Sequence, residues 1–236
     1  MRALKAAGLA AGATIGGCSA ILTYGSVSKS SQLFGPSVYR GPGFRRSIAL
    51  TFDDGPSEST PRLLEYLDKE GVTATFFQCG MNVRRLPRIA GEVAASGHQI
   101  GNHTHTHSSL LFQSRSFMEH EFESAQDAIY SATGVLPILL RPPYGLRWPG
   151  IRYVQHKLAL LGVMWTVIGN DWRWTPDRIA ARVITRATQG GIACLHDGRG
   201  IQAKPDISST LAAVKTIVPV LRDLDYSFET VNDILR

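Results

Sequence analysis

Cysteine is scarce in this chain, with three in 236 residues. Cys18 falls in the N-terminal stretch. Cys79 and Cys194 each sit inside a short apolar, strand-like run, where they read as buried free thiols; a disulfide in an oxidising compartment is the alternative. Repeats and low-complexity tracts are absent, and 44% hydrophobic with 19% charged residues excludes a disordered or fibrous chain and suits one sizeable core. Charge of one sign is also in short supply. The net charge of +6 is a mild excess, and no basic patch is interleaved with aromatics, so nucleic acid is not an expected partner. The excess favours an anionic polymer over a neutral one, while scattered arginines such as Arg45, Arg46, Arg84 and Arg85 read as solvated surface.

Acidic residues are missing from the first 28 positions. Arg2 and Lys5 precede a weakly apolar, uncharged run, and Ser26, Val27 and Ser28 then offer small residues at the spacing signal peptidases accept. Residues 1–28 therefore read as a signal peptide or a membrane anchor, and the protein is expected to be exported: secreted, periplasmic or anchored facing outward. The run is about long enough to span a bilayer, but its Gly and Ala content makes it a poor span. Residues 29–46, rich in Ser, Gly and Pro, read as a linker over the surface of a domain formed by residues 47–236. That domain is expected to be monomeric.

Within it, strand-like and helix-like patterns alternate. The run SIALTFDDGP at residues 47–56 is apolar and β-prone and ends in two carboxylates, after which Gly55 and Pro56 forbid continuation. Thr60 and Pro61 supply an N-cap and first-turn proline for a helix to about residue 70. Further strands are expected at ATFFQCG, within HQIGNHTHTH, and at PILLRPPYG, VMWTVIG, GIACLHDG and YSFETV, with helices over about 87–96, 116–133, 149–161, 176–188 and 207–225. Seven strands alternating with six helices predict an α/β fold with a mainly parallel sheet, because parallel neighbours need crossover connections. Open sheet and barrel are both compatible with the pattern. In either, functional groups gather where strands end. Five polar clusters obey that rule: Asp53-Asp54, His103 to His107, Arg141 to Gly145, Asp171-Trp172 and Leu195-His196.

Successive strand side chains face opposite ways, so at least one of Asp53 and Asp54 faces a pocket or the interior. His103 and His107, four apart, suit one turn of helix or a tight loop holding a metal from one side, with His105 in a solvated or capping role. Two His and one carboxylate from another strand end make the open three-ligand set of catalytic zinc. Mononuclear iron oxygenases use the same set, but on folds unlike this alternation.

TFDDG, HTHTH, RPPYG, NDW and LHDG resemble, in order and approximate spacing, the five motifs of the polysaccharide deacetylases, carbohydrate esterase family 4. The resemblance covers residues 47–231 and implies a distorted, incomplete seven-stranded (β/α) barrel. It implies an enzyme, a metal-dependent hydrolase that removes N-acetyl groups from a glycan containing N-acetylglucosamine, chitin-like or peptidoglycan, with an acetylated polysaccharide as partner and one divalent ion, zinc, as cofactor. Position by position it makes Asp53 the catalytic base, Asp54, His103 and His107 the metal ligands, and Arg141 the partner that orients Asp53. The Tyr144 backbone N–H would hold the oxyanion. His196 would be the general acid, with Asp171 raising its pKa, and Trp172 and Leu195 would wall the acetyl pocket. O-deacetylation of xylan or another glycan is the alternative reaction, and an inactive glycan-binding protein the alternative class. The fourth motif usually begins with an Asp where Ile168 stands here, with Asn170 just ahead of Asp171, so altered substrate contacts are expected. The charged loop over residues 198–204, beside His196, is expected to help choose the substrate.

Overall fold

The computed structural model describes residues 19–236. Residues 1–18, which hold much of the expected export segment and Cys18, lie outside the described residues. From the N-terminal side the elements are a helix over residues 19–27 (α1), β1 (Ser37–Val38), β2 (Ser47–Gly55), α2 (Thr60–Lys69), β3 (Thr75–Gln78), α3 (Gly80–Arg85), α4 (Pro87–Ala95), β4 (Gln99–Asn102) and α5 (Arg115–Thr133). There follow β5 (Leu139–Leu140), a 3-10 turn (Pro143–Gly145), α6 (Ile151–Lys157), β6 (Leu161–Val163), β7 (Val167–Ile168), α7 (Pro176–Thr185), β8 (Gly191–His196), α8 (Ser208–Asp223), β9 (Ser227–Phe228) and α9 (Val231–Ile234). Among the described residues no helix is long and apolar enough to cross a membrane.

The strands form one sheet in the order β1-β6-β5-β4-β3-β2-β8-β7, with β9 against the start of β2, and every pairing is parallel. Strand β6 lies one place in from one edge and β7 is the other edge, yet residues 164–166 alone separate them in sequence. In a flat sheet six strand spacings would put them roughly 29 Å apart, whereas four chain steps reach at most roughly 14 Å. The sheet must curl until its edges approach. Strands β1 and β7 do not pair, so the result is an open, incomplete (β/α) barrel.

The run expected as one strand at residues 163–169 is thus two strands on opposite edges. Its break has a physical cause: Arg141, fully buried inside the curl, donates from Nε to the Val163 carbonyl (3.2 Å) and from a terminal nitrogen to the Met164 carbonyl (3.3 Å), taking acceptors a continuous ladder would use. Residues 29–46 also differ from a free linker. They supply β1, which pairs with β6, and an antiparallel bridge from Arg40 to Gly191. Helix α2 begins one residue early, with Ser59 at its N-cap, because the Thr60 hydroxyl is engaged by Asp197 instead.

Strand β2 is buried at every position. Its period of two sorts the core. Ile48, Leu50 and Phe52 face the helices beside Phe76, Leu63, Leu67, Val214 and Ile217, whereas Ala49 faces the inside of the curl with Phe77, Val163, Trp165, Ile192 and Cys194. Asp53 follows Ala49 and Thr51 on the inner side.

Candidate active site

The register of β2 against β3 slips between Asp53 and Gly55, and Asp54 takes a left-handed φ of 70°. This local bulge cancels the alternation of a regular strand, so both carboxylates reach one rim. They line a cavity of about 520 Å³ together with His103, His107, Tyr144, Trp165, Ile168, Trp172, Cys194, His196, Arg199 and Gln202. The five polar clusters read from strand ends are therefore brought together.

Asp54 Oδ1 lies 3.2 Å from His103 Nε2 and 3.0 Å from His107 Nε2. His103 Nδ1 is 2.7 Å from the Arg141 carbonyl, which can only accept, so Nδ1 carries a proton and Nε2 is the ring atom turned to Asp54. Asp54 Oδ1 is buried and has no hydrogen-bond partner among the described residues. One donor atom from each of Asp54, His103 and His107 lies within 4.8 Å of the other two, and the set of two imidazoles and one carboxylate suits a divalent ion with an open position. Burial opposes ionisation of Asp54, but His103 and His107 beside it, with the charge of His196, hold its carboxyl well below the usual range. Its other oxygen, Oδ2, accepts from Gly200 N–H at 2.8 Å.

Asp53 Oδ1 accepts from Arg141 at 2.7 Å, and Oδ2 is 3.4 Å from the Cys194 thiol. The same Arg141 nitrogen also meets Thr51 Oγ1 at 2.7 Å, and its guanidinium lies 4.1 Å from the Phe77 ring centre. Across the cavity, His196 Nδ1 is 2.8 Å from Asp171 Oδ1, and Asp171 Oδ2 accepts from His196 N–H (2.8 Å) and Thr210 Oγ1 (2.6 Å). Burial works against a charged imidazole, but Asp171, together with Asp54 and Asp53, outweighs it and pushes His196 up to about 9.

Tyr144 stands at the mouth with φ 60° and its ring edge-on to His107, 4.9 Å between centres. Gly145 follows at φ 68°, where an added Cβ would come within 2.5 Å of the Trp165 ring. Trp172 lies edge-on to His196 at 5.2 Å. Leu195, expected as a pocket wall, does not line the cavity. On β8 it alternates with Cys194 and His196, so it is buried on the helix side in the cluster with Ile179. Cys194, Ile168 and Trp165 make the apolar wall instead. Both Cys79 and Cys194 are free and buried.

Sequence reasoning missed the residues that hold the loops. Buried Glu121 of α5 accepts from His105 N–H (3.1 Å), Thr106 N–H (2.8 Å) and Thr106 Oγ1 (3.0 Å), fastening the two-histidine loop. His105 itself stays out of the metal set. Asn82 of α3 donates to the carbonyls of Asp54 (2.6 Å) and Gly200 (2.8 Å), and Arg85 donates to those of Ile201 (3.1 Å) and Gln202 (2.9 Å). Asp197 is buried, and burial, opposed by the Thr60 hydrogen bond, lifts its carboxyl to about 7.

A family model described as polysaccharide deacetylase matches residues 40–163. The peptidoglycan-N-acetylglucosamine deacetylase PgdA of Listeria monocytogenes is 33% identical over 191 residues, which is 80% of this chain but 39% of that protein, so the chain spans well under half of that relative. A chitooligosaccharide deacetylase of Bradyrhizobium is 35% identical over 186 residues, covering 75% of this chain and 85% of that one. A solved peptidoglycan N-acetylglucosamine deacetylase superposes with a TM-score of 0.78 at 28% identity, covering 83% of this chain and 91% of that one.

Proposed function

The chain belongs to the polysaccharide deacetylase family, and on that premise we propose that it removes N-acetyl groups from N-acetylglucosamine units of peptidoglycan or a chitin-like glycan, with one zinc ion held by Asp54, His103 and His107. The observation that carries this reading is the convergence of Asp54 Oδ1 and two imidazole Nε2 atoms, beside two further charged pairs in one cavity. When bound, the ion supplies Lewis-acid polarisation and lowers the pKa of water.

The chain's own residues do the rest. Asp53, fixed through Oδ1 by Arg141, keeps Oδ2 toward the cavity as the base that takes the proton of the attacking water. The backbone N–H of Tyr144 at the mouth is the donor we assign to the developing oxyanion. The apolar wall of Cys194, Ile168 and Trp165 receives the acetyl methyl, and Trp172 flanks the sugar. His196, kept protonated by Asp171, gives its Nε2 proton to the departing amine, which otherwise leaves poorly. The segment over residues 1–28 supports a further proposal, export from the cytoplasm, which a C-terminal reporter active only outside the cytoplasm tests.

Acetate release from chitin oligomers, peptidoglycan and acetylated xylan, with and without chelator, tests the reaction. Release from the first two is expected, abolished by chelation and restored by zinc, with about one ion per chain lost in His103→Ala and His107→Ala. Release from xylan alone, or full metal content in both variants, would overturn the reading.

A further inference from the structure

Cys194 has no part in the reaction proposed above beyond the apolar wall for the acetyl methyl, yet it stands where a metal ligand would. One donor atom from each of Asp53, Cys194 and His196 lies within 4.8 Å of the other two. The Cys194 sulfur is 3.4 Å from Asp53 Oδ2, the oxygen that Arg141 leaves free. His196 has its Nδ1 committed to Asp171, so Nε2 is its remaining donor. All three residues line the same cavity as Asp54, His103 and His107, and Asp53 Oδ2 is 4.0 Å from His103 Nε2, so the two sets adjoin.

We propose that Asp53, Cys194 and His196 form a second, inhibitory metal site, selective for soft divalent cations such as cadmium or excess zinc. The chemistry of the donors separates it from its neighbour. Two imidazoles and a carboxylate need no thiolate, whereas a set with one sulfur ranks cadmium and zinc far above magnesium, calcium or manganese. Binding expels the thiol proton of Cys194 and the Nε2 proton of His196 to solvent, whereas the Asp54 set of one carboxylate and two imidazoles has no thiol to deprotonate. The Asp54 set therefore fills first. Inhibition rests on the roles proposed above for Asp53 and His196, because an ion held by both occupies the base and the acid together; the site itself rests on the donor geometry alone.

Full-length enzyme loaded with one equivalent of zinc, then titrated with cadmium chloride, tests both parts. The thiolate-to-cadmium charge-transfer absorption in the ultraviolet and the metal content per chain are followed beside acetate release. A thiolate band that grows as metal content passes from one ion to two, with loss of turnover in step, is expected. In Cys194→Ser and Cys194→Ala the band should fall to whatever the other two cysteines contribute, the first ion should stay bound, and second-ion affinity should drop at least roughly tenfold, the least that removing even a supporting group costs. Retention of the first ion certifies that the variants fold. A band unchanged in both variants, or one that rises while metal content stays at one, overturns the second site. A band and a second ion without loss of turnover would leave the site standing and refute the base and acid roles of Asp53 and His196.

Discussion

His196 shows how one pair of side chains fixes a pH range. In the general-acid role proposed for it, His196 must be protonated, so turnover should be lost as pH rises through its pKa, which Asp171, with Asp54 and Asp53, pushes up to about 9 against the effect of burial. A cation on Asp54 cancels that residue's share, which puts the alkaline limb of the loaded enzyme at or below about 9. Asp171→Asn removes a negative partner, makes the imidazolium easier to deprotonate and should move this limb downward. The leaving group supplies a second check. His196→Ala should lose at least roughly 100-fold on an N-acetylglucosamine oligomer, the low end for general-acid catalysis, and much less on an aryl acetate whose oxide leaves unaided. Equal losses on the two substrates would remove the acid role from His196.

Among the elements, α5 and α3 do what the strand ends cannot do alone. The two-histidine loop includes two non-glycine residues at positive φ, Thr104 at 65° and His107 at 58°, a conformation that costs on the order of 1 to 3 kcal/mol each and persists only when its surroundings enforce it. Glu121 supplies that enforcement with three hydrogen bonds to the loop. Glu121→Ala removes both acceptor oxygens, so all three of those bonds are lost. Zinc affinity should fall by roughly 10- to 100-fold, the usual cost of a group that supports a ligand, with the fold intact by circular dichroism. Unchanged affinity would make Glu121 a structural residue only. The sequence made the strand ends and their five clusters legible because apolar runs stopped by Gly and Pro are local signals. It did not reveal Glu121, although an acid on the buried face of α5 between Met118 and Phe122 is a visible anomaly. It could not reveal the break between β6 and β7, because that depends on a guanidinium arriving from residue 141. Leu195 was misplaced for a simpler reason: the alternation of β8, counted back from His196, already puts Cys194 on the site side.

For the whole molecule, the same edge closure makes the N-terminal segment part of the fold. The backbone N–H of Arg147 donates to the Ser26 carbonyl (3.1 Å), and its guanidinium donates to the carbonyls of Ser28 and Ser31 and to Ser37 Oγ. Gln155 holds the Pro36 carbonyl at 2.8 Å, Phe34 is buried beside Trp148, and β1 completes the sheet next to β6. Lys29 Nζ reaches the Thr166 carbonyl at 3.4 Å and lies 5.8 Å from the centre of the Trp165 ring, so this strap braces a wall of the cavity as well as the edge. Chains starting at residues 19, 29 and 39 should therefore form a graded series. The chain starting at 19 keeps all of these contacts and is the reference for the other two. A start at 29 removes the Ser26 and Ser28 acceptors but leaves the Arg147 guanidinium its bonds to Ser31 and Ser37, so its loss should be smaller than that of a start at 39. A start at 39 strips the Arg147 guanidinium of Ser28, Ser31 and Ser37 and bares the β6 edge. Orphaning a buried charge costs about 3 to 5 kcal/mol, and at roughly 2 to 4 °C per kcal/mol for a domain of this size the midpoint should fall by on the order of 10 °C. Turnover should fall with it, because Trp165 loses its brace. A chain starting at 39 that melts with the chain starting at 19 would show that the strap lies on the surface without stabilising it, as the composition of residues 29–46 first suggested.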